Sequence, residues 1–186
     1  MATDNTSSMD VSAALAQWNA LAADAAARVI LSCCGSRAWA DAMAARRPFA
    51  NDAALFAASD AAWAGLNETD RREAFDSHPR IGQQHANAAT AESLAWSSEE
   101  QSTVMASANG LNASLQLFLA ERIRLYEERF GRIFLICAAG KNAAEILAML
   151  DRRMKNTDAA ELLEAAEQQR QITQLRLRRW LGVKYL

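Results

Sequence analysis

Apolar residues recur along this chain mostly at three- and four-residue intervals, the spacing that lines one face of an α-helix. A polar stretch over residues 1–9 is expected to be disordered, and a first helix is predicted from near Asp10 through Leu15, Trp18 and Leu21. A second covers about 24–33, with Ile30 and Leu31 inward, until Gly35 stops it. Arg37 to Arg46 form a short third helix before Pro48. Asp52 is the expected cap of a helix carrying Leu55, Phe56, Ala62, Trp63 and Leu66, and Thr69 of the next, with Phe75 facing in. Residues 82–95 lack a clear period, and a new helix is predicted to begin at Ser97. The longest amphipathic pattern spans about 111–130: Leu111, Leu115, Phe118, Leu119, Ile123, Tyr126 and Phe130 keep to one face until Gly131. Ile133 to Cys137 form the one strand-like run. Helices at 142–154 and from Asn156, Thr157 or Asp158 to about 181 complete the pattern.

Composition agrees with an all-α protein, a single-domain helical bundle of about eight to ten helices. Hydrophobic content is 51%, rich in alanine, while 7 glycines and 2 prolines leave few helix breakers in 186 residues. A net charge of −2 gives no basic footprint for nucleic acid or an anionic membrane. No run of 18 apolar residues suggests a membrane span. Three cysteines, Cys33, Cys34 and Cys137, are too few and too oddly placed for a disulfide framework, which fits a cytoplasmic location.

Chemistry concentrates at a few places. Proline pushes the residue before it out of the α region, so in His78-Pro79-Arg80-Ile81-Gly82 a helix ends at or before His78. That presents an ionisable imidazole on a stiff loop, as a structural residue or as an acid/base. His85, in a polar stretch, reads as solvated surface, and a His78/His85 metal pair is not supported. Ser97-Ser98-Glu99-Glu100 has the Ser-x-x-Glu spacing of a capping box, Ser97 accepting from the Glu100 amide and Glu100 reaching back. The same helix start can instead present donors to a substrate, with Glu100 and Gln101 hydrogen-bonding to it. Arg176, in Leu175-Arg176-Leu177, lies four residues beyond Ile172 and four before Trp180, in or beside the apolar stripe. An inward arginine needs a partner, either an acidic side chain or an anionic ligand. Cys137, ending an apolar run, reads as buried and inert, and Trp39, Trp63 and Trp96 read as core anchors.

Taken in order, His78 to Gly82, Ser97 to Gln101, Phe130-Gly131 with Phe134 to Ala138, and Leu175-Arg176-Leu177 resemble 2-oxo-4-hydroxy-4-carboxy-5-ureidoimidazoline (OHCU) decarboxylase. Cys33 to Ser36, Trp39-Ala40 and Arg47-Pro48-Phe49 resemble its bacterial branch, and the likeness covers nearly all of residues 11–182, within a domain taken as 10–186. The resemblance implies an all-helical homodimer that converts OHCU to (S)-allantoin and CO2 with no metal or organic cofactor. It implies His78 as acid/base, Glu100 as catalytic carboxylate and Pro79 lining the site. It further implies that Ser97, Ser98, Glu99, Glu100 and Gln101 contact substrate, and that Phe134, Leu135, Ile136, Cys137 and Ala138 bind it largely through backbone groups. Arg176 corresponds to the family's inward arginine. The competing classes are a non-catalytic helical interaction module and a metal-dependent hydrolase using His78, His85 and acidic residues.

Overall fold

The structure, a computed structural model, describes residues 12–83, 85–86, 89–109 and 113–182. They form ten helices: α1 (Ala13–Asn19), α2 (Ala23–Cys34), α3 (Arg37–Ala45), α4 (Asp52–Ala64), α5 (Glu68–Asp76), α6 (Ala91–Glu100), α7 (Ser102–Asn109), α8 (Ala113–Phe130), α9 (Ala143–Arg153) and α10 (Asp158–Trp180). No strand occurs among the described residues, so the all-α expectation holds. The expected disorder over 1–9, the helix start at Asp10, and Leu111 lie outside the described residues, as does the side chain of Leu115.

Short polar side chains set most helix starts. Ser12, Ser36, Asn51, Asn67, Thr90, Asn142 and Thr157 each accept a hydrogen bond from the backbone amide three residues on. Asn51 caps α4 in place of the expected Asp52, which becomes the first helical residue and places its charge at the positive end of the helix dipole. Asn67 likewise takes the cap expected of Thr69, asparagine being the better cap of the two. Among the described residues, Asn142 with Glu145 makes a full capping box, at the start of α9.

Two apolar clusters share the interior. The larger gathers Leu15, Trp18, Ile30, Trp39, Met43, Leu55, Trp63 and Phe75 from α1 to α5 around Ile172 and Leu177 of α10. The smaller joins Val104 of α7 to Leu119, Ile123, Tyr126 and Phe130 of α8 and to Ile146 and Leu150 of α9. Between them runs the strand-like segment. Ile133, Leu135 and Cys137 pack on the larger cluster, while Phe134, Ile136 and Ala138 pack on the smaller. The period-two alternation of a strand is therefore real, but a helical cluster lies on each side where a sheet would leave one face or edge open. Side chains supply the backbone partners that sheet neighbours would give. Arg153 donates to the Leu135 carbonyl at 2.7 Å, Gln168 accepts from the Cys137 amide at 3.0 Å, and Lys141 donates to the Cys137 carbonyl at 2.7 Å.

α10 is the spine, and it carries buried polar groups along its length: Glu161, Gln168, Gln169, Thr173, Gln174 and Arg176. Several of them bond backbone carbonyls of neighbouring elements. Gln169 donates to Cys34, Gln174 to Phe56 and Arg176 to Ser32, so α10 docks by directed bonds as well as by apolar contact.

Candidate active site

Two helix ends meet where His78 leaves α5. Gly35 closes α2 in the left-handed region at φ 83°, and a Cβ there would overlap the Ser77 side chain. Only glycine meets both demands without strain. Ser77 donates its hydroxyl to the Ala74 carbonyl, and the His78 amide bonds the Phe75 carbonyl, which ends α5 as the following proline requires. The imidazole is less displayed than its loop position suggested. His78 and Pro79 are both buried, and His78 is 7% exposed. It nevertheless lines a cleft of about 450 Å³ with Asp76, Arg80, Gln83, His85 and Ile133.

Ser97 does not open a helix. Thr90 caps α6, its hydroxyl accepting from Ser93 and touching Ser32, and the helix runs through Ser97 to end at Glu100. The alanine, glutamate and leucine of 91–95 favour helix, and that local preference outweighs their lack of a clear apolar period. The three-residue interval from Ser97 to Glu100 puts both side chains on one helical face, and both turn to the same arginine. Arg176 donates Nε and Nη2 to the two Glu100 carboxylate oxygens at 3.0 Å each, Nη2 to Ser97 Oγ at 2.8 Å, and Nη1 to the Ser32 carbonyl at 3.3 Å. Its guanidinium carbon also stands 5.9 Å from the Trp96 ring centroid; Trp96 is half-buried and packs on the edge of the larger apolar cluster, while Trp39 and Trp63 lie within it. Of the two partners left open for Arg176, the acidic side chain is present, and it is Glu100. The pair is well buried, with Arg176 side-chain exposure of 1% and Glu100 of 9%.

The other expected residues divide. Gln101 accepts from the Gly82 amide at 2.9 Å, tying the histidine loop to the α6–α7 junction. Gln101 and Ser98 line a second cleft, of about 350 Å³, with Gly82, Gln83, Leu94 and Met105, and Gln83 borders both clefts. Glu99 is exposed and pairs with Arg179. Phe134, Leu135, Ile136 and Ala138 are buried. Cys137 is half-buried, and its thiol is pushed up mainly by burial, so it is no ready nucleophile. Cys33 and Cys34 are fully buried, Cys34 pushed up to about 12 by desolvation, as expected of inert core thiols.

Burial is also the main cause that holds the His78 imidazole well below its ordinary 6.5, reinforced by the Arg176 charge and opposed by Gln169. At neutral pH the site therefore combines a neutral imidazole, a clamped carboxylate and a guanidinium. Such a set can accept a proton, orient hydroxyl or N–H groups and hold developing negative charge. The same burial ties stability to pH. Unfolded, His78 binds its proton near 6.5; folded, it resists it, so the full contribution is present above about pH 6.5 and declines as pH falls. Melting temperature is expected to drop between about pH 7.5 and pH 5.5, and less so in His78→Asn; an equal drop in both proteins would assign the effect to other groups.

Sequence reading missed three contributors: Gln169 beside His78, Arg153 under Leu135, and Gln168 at Cys137. Gln169, Thr173 and Arg176 follow an i, i+4, i+7 pattern on α10, a signal that does place them on one face.

The sequence profile of the OHCU decarboxylase family matches residues 19–178. The uric acid degradation bifunctional protein TTL of Arabidopsis thaliana is 39% identical over 145 residues, which are 78% of this chain and 44% of that protein. The chain thus spans under half the length of this curated relative. A crystal structure of OHCU decarboxylase in the presence of (S)-allantoin superposes with a TM-score of 0.69 and 35% identity, covering 82% of this chain and 96% of that one. (S)-allantoin synthase, at 16% identity, shares the fold with a TM-score of 0.67 over 92% of this chain and 54% of its own.

Proposed function

This chain belongs to the OHCU decarboxylase family, and on that premise we propose that it converts OHCU to (S)-allantoin and CO2. The observation that carries the reading is the buried His78 lining a cleft, together with the buried Arg176–Glu100 pair. In the reaction the carbon–carboxylate bond breaks and its electron pair passes into the conjugated imidazoline ring. The hydroxyl becomes a carbonyl, and one face of the ring carbon bearing the ureido group receives a proton. The substrate supplies its own electron sink, so the protein's part is orientation, charge stabilisation and proton traffic. His78 is the acid/base: neutral at working pH, it takes the hydroxyl proton and returns one to the ring. Glu100, its two oxygens fixed by the Arg176 fork, grips the substrate hydroxyl or ureido N–H groups. Arg176 balances the negative charge of the departing carboxylate.

Pro79 walls the site beside the imidazole. Ser97, Ser98, Glu99 and Gln101 complete the contacts around Glu100, and the backbone of Phe134 to Ala138 pairs with the substrate's amide edges. Support for the last role lies in that segment's course between the two apolar clusters, where Arg153, Gln168 and Lys141 hold Leu135 and Cys137 in place. The working form in this reading is a cytoplasmic homodimer without cofactor.

Circular dichroism of freshly generated OHCU, with chiral analysis of the product, tests the assignment. The protein is expected to accelerate loss of OHCU and to yield (S)-allantoin, with or without a chelator. Decay at the spontaneous rate to racemic product would point to a helical interaction module, and loss of activity under chelation to a metal-dependent enzyme.

A further inference from the structure

Gln169 stands fully buried on α10, and its amide has only one sensible orientation. Nε2 donates to the Cys34 carbonyl at 3.2 Å and to the Thr173 hydroxyl at 3.2 Å. A backbone carbonyl can only accept, so the NH2 end must face α2, and the oxygen must face the other way. That oxygen, Oε1, is buried and has no hydrogen-bond partner. His78 presents the complementary case: Nε2 of its imidazole is buried and also lacks a partner. Buried polar atoms left unpaired are costly, and an amide oxygen that can only accept and a ring nitrogen that can donate offer each other a common explanation.

The groups around His78 do not supply one. Arg176 faces it from α10, but as a cation it accepts nothing, and its fork is committed to Glu100 and Ser97. Asp76, Arg80 and His85 border the cleft that His78 lines, and Arg80 is spent on Glu127. Gln169 reaches the same end of α2 as the histidine loop: its amide bonds the Cys34 carbonyl, and the next residue, Gly35, abuts Ser77, the neighbour of His78.

We propose that Gln169 is a positioning residue for the reaction: its Oε1 takes the Nε2–H of His78, fixing the tautomer and leaving Nδ1 to exchange the proton with substrate. The inference rests on the reading of His78 as acid/base. A neutral imidazole has one donor and one acceptor nitrogen, and which is which follows from the bond the other side makes. The carbonyl of an amide gives that direction without adding a charge, so the base stays neutral at working pH. Two hydrogen bonds to α2 and to Thr173 in turn hold the amide, linking the imidazole to the spine of the fold.

The test uses the full chain with nitrogen-15 labelled histidine. Long-range nitrogen–proton NMR is expected to show His78 as the Nε2–H tautomer, and Gln169→Leu to show a mixture or the Nδ1–H form. The acid limb of the kcat–pH profile is expected to move to lower pH in Gln169→Leu and to higher pH in Gln169→Glu, whose carboxylate favours imidazolium. At neutral pH kcat of Gln169→Leu should fall about 10–100-fold with KM nearly unchanged, the scale of losing a group that orients a reactive one. An Nδ1–H tautomer in the unmodified protein overturns the proposal even if Gln169→Leu fails to fold. So do pH profiles that stay in place in both variants while His78→Gln abolishes turnover, a result that leaves the proposed decarboxylation standing. Absence of OHCU turnover in the unmodified protein would instead remove the functional reading, and the tautomer would still be measured.

Discussion

Replacing His78 with glutamine is expected to lower kcat for OHCU decarboxylation by about 10²–10⁴, the usual contribution of a positioned acid/base. Glutamine keeps a polar group of comparable reach in the buried position, but it cannot take up or release a proton. Glu100 and Arg176 do not touch the loop that carries His78 through any bond to the imidazole, so their clamp is expected to persist and substrate to bind with little change in KM. The stereochemistry gives a second readout. Protonation of the ring then comes from water, and allantoin from the variant should lose optical purity toward a racemate. Circular dichroism through the time course follows both. A variant with an unchanged rate and enantiomerically pure product would remove His78 from the chemistry.

Arg153→Met is expected to give the largest loss of stability, about 3–5 kcal/mol, because it strands a buried charge. Arg153 and Glu161 are both wholly buried, joined at 2.6 Å, with Tyr126 donating to the same carboxylate oxygen and Asn156 to the other at 2.8 Å. Methionine fills much of the arginine's volume but leaves Glu161 without its cation and the Leu135 carbonyl without its donor. For a domain of this size the melting temperature should fall by roughly 6–20 °C. The double variant Arg153→Met with Glu161→Gln should recover part of that loss, since no uncompensated charge remains. A single-variant loss under about 1 kcal/mol would put the pair in the class of surface ion pairs.

Much of the fold was readable in sequence because helix punctuation is local. Gly35 and Gly131 end α2 and α8 where expected, and Thr157 was among the named caps of α10. Errors arose where two local signals competed, as with Asn51 over Asp52 and Asn67 over Thr69. The Ser97–Glu100 spacing misled for a more general reason. An interval of three residues marks both a capping box and a shared helical face; the start of α6 at Thr90 decides for the second, and Arg176, 76 residues beyond Glu100, is what that face meets. Arg176 itself was legible as inward because a charge interrupted an apolar stripe. Gln169 was legible only through its spacing to Arg176, since a glutamine on a long helix otherwise looks solvated until the helix is known to be central. Arg153 was hidden similarly: at the end of α9 it reads as a favourable charge for the helix dipole, yet it is buried.

The extended run between the two apolar clusters has a consequence for how this protein fails. Ile133 to Cys137 is an apolar, β-competent stretch with no sheet to occupy both its edges, the kind of segment that pairs with copies of itself when uncovered. In the folded chain, helix-borne side chains occupy one of those edges: Arg153 from α9 bonds the Leu135 carbonyl, and Gln168 from α10 accepts from the Cys137 amide. Opening of α9 withdraws Arg153 and is expected to free the Leu135 carbonyl on that edge for pairing with another copy. Arg153→Met should therefore form thioflavin-binding aggregates below its own melting temperature, while a variant equally destabilised at α1, remote from this run, should not.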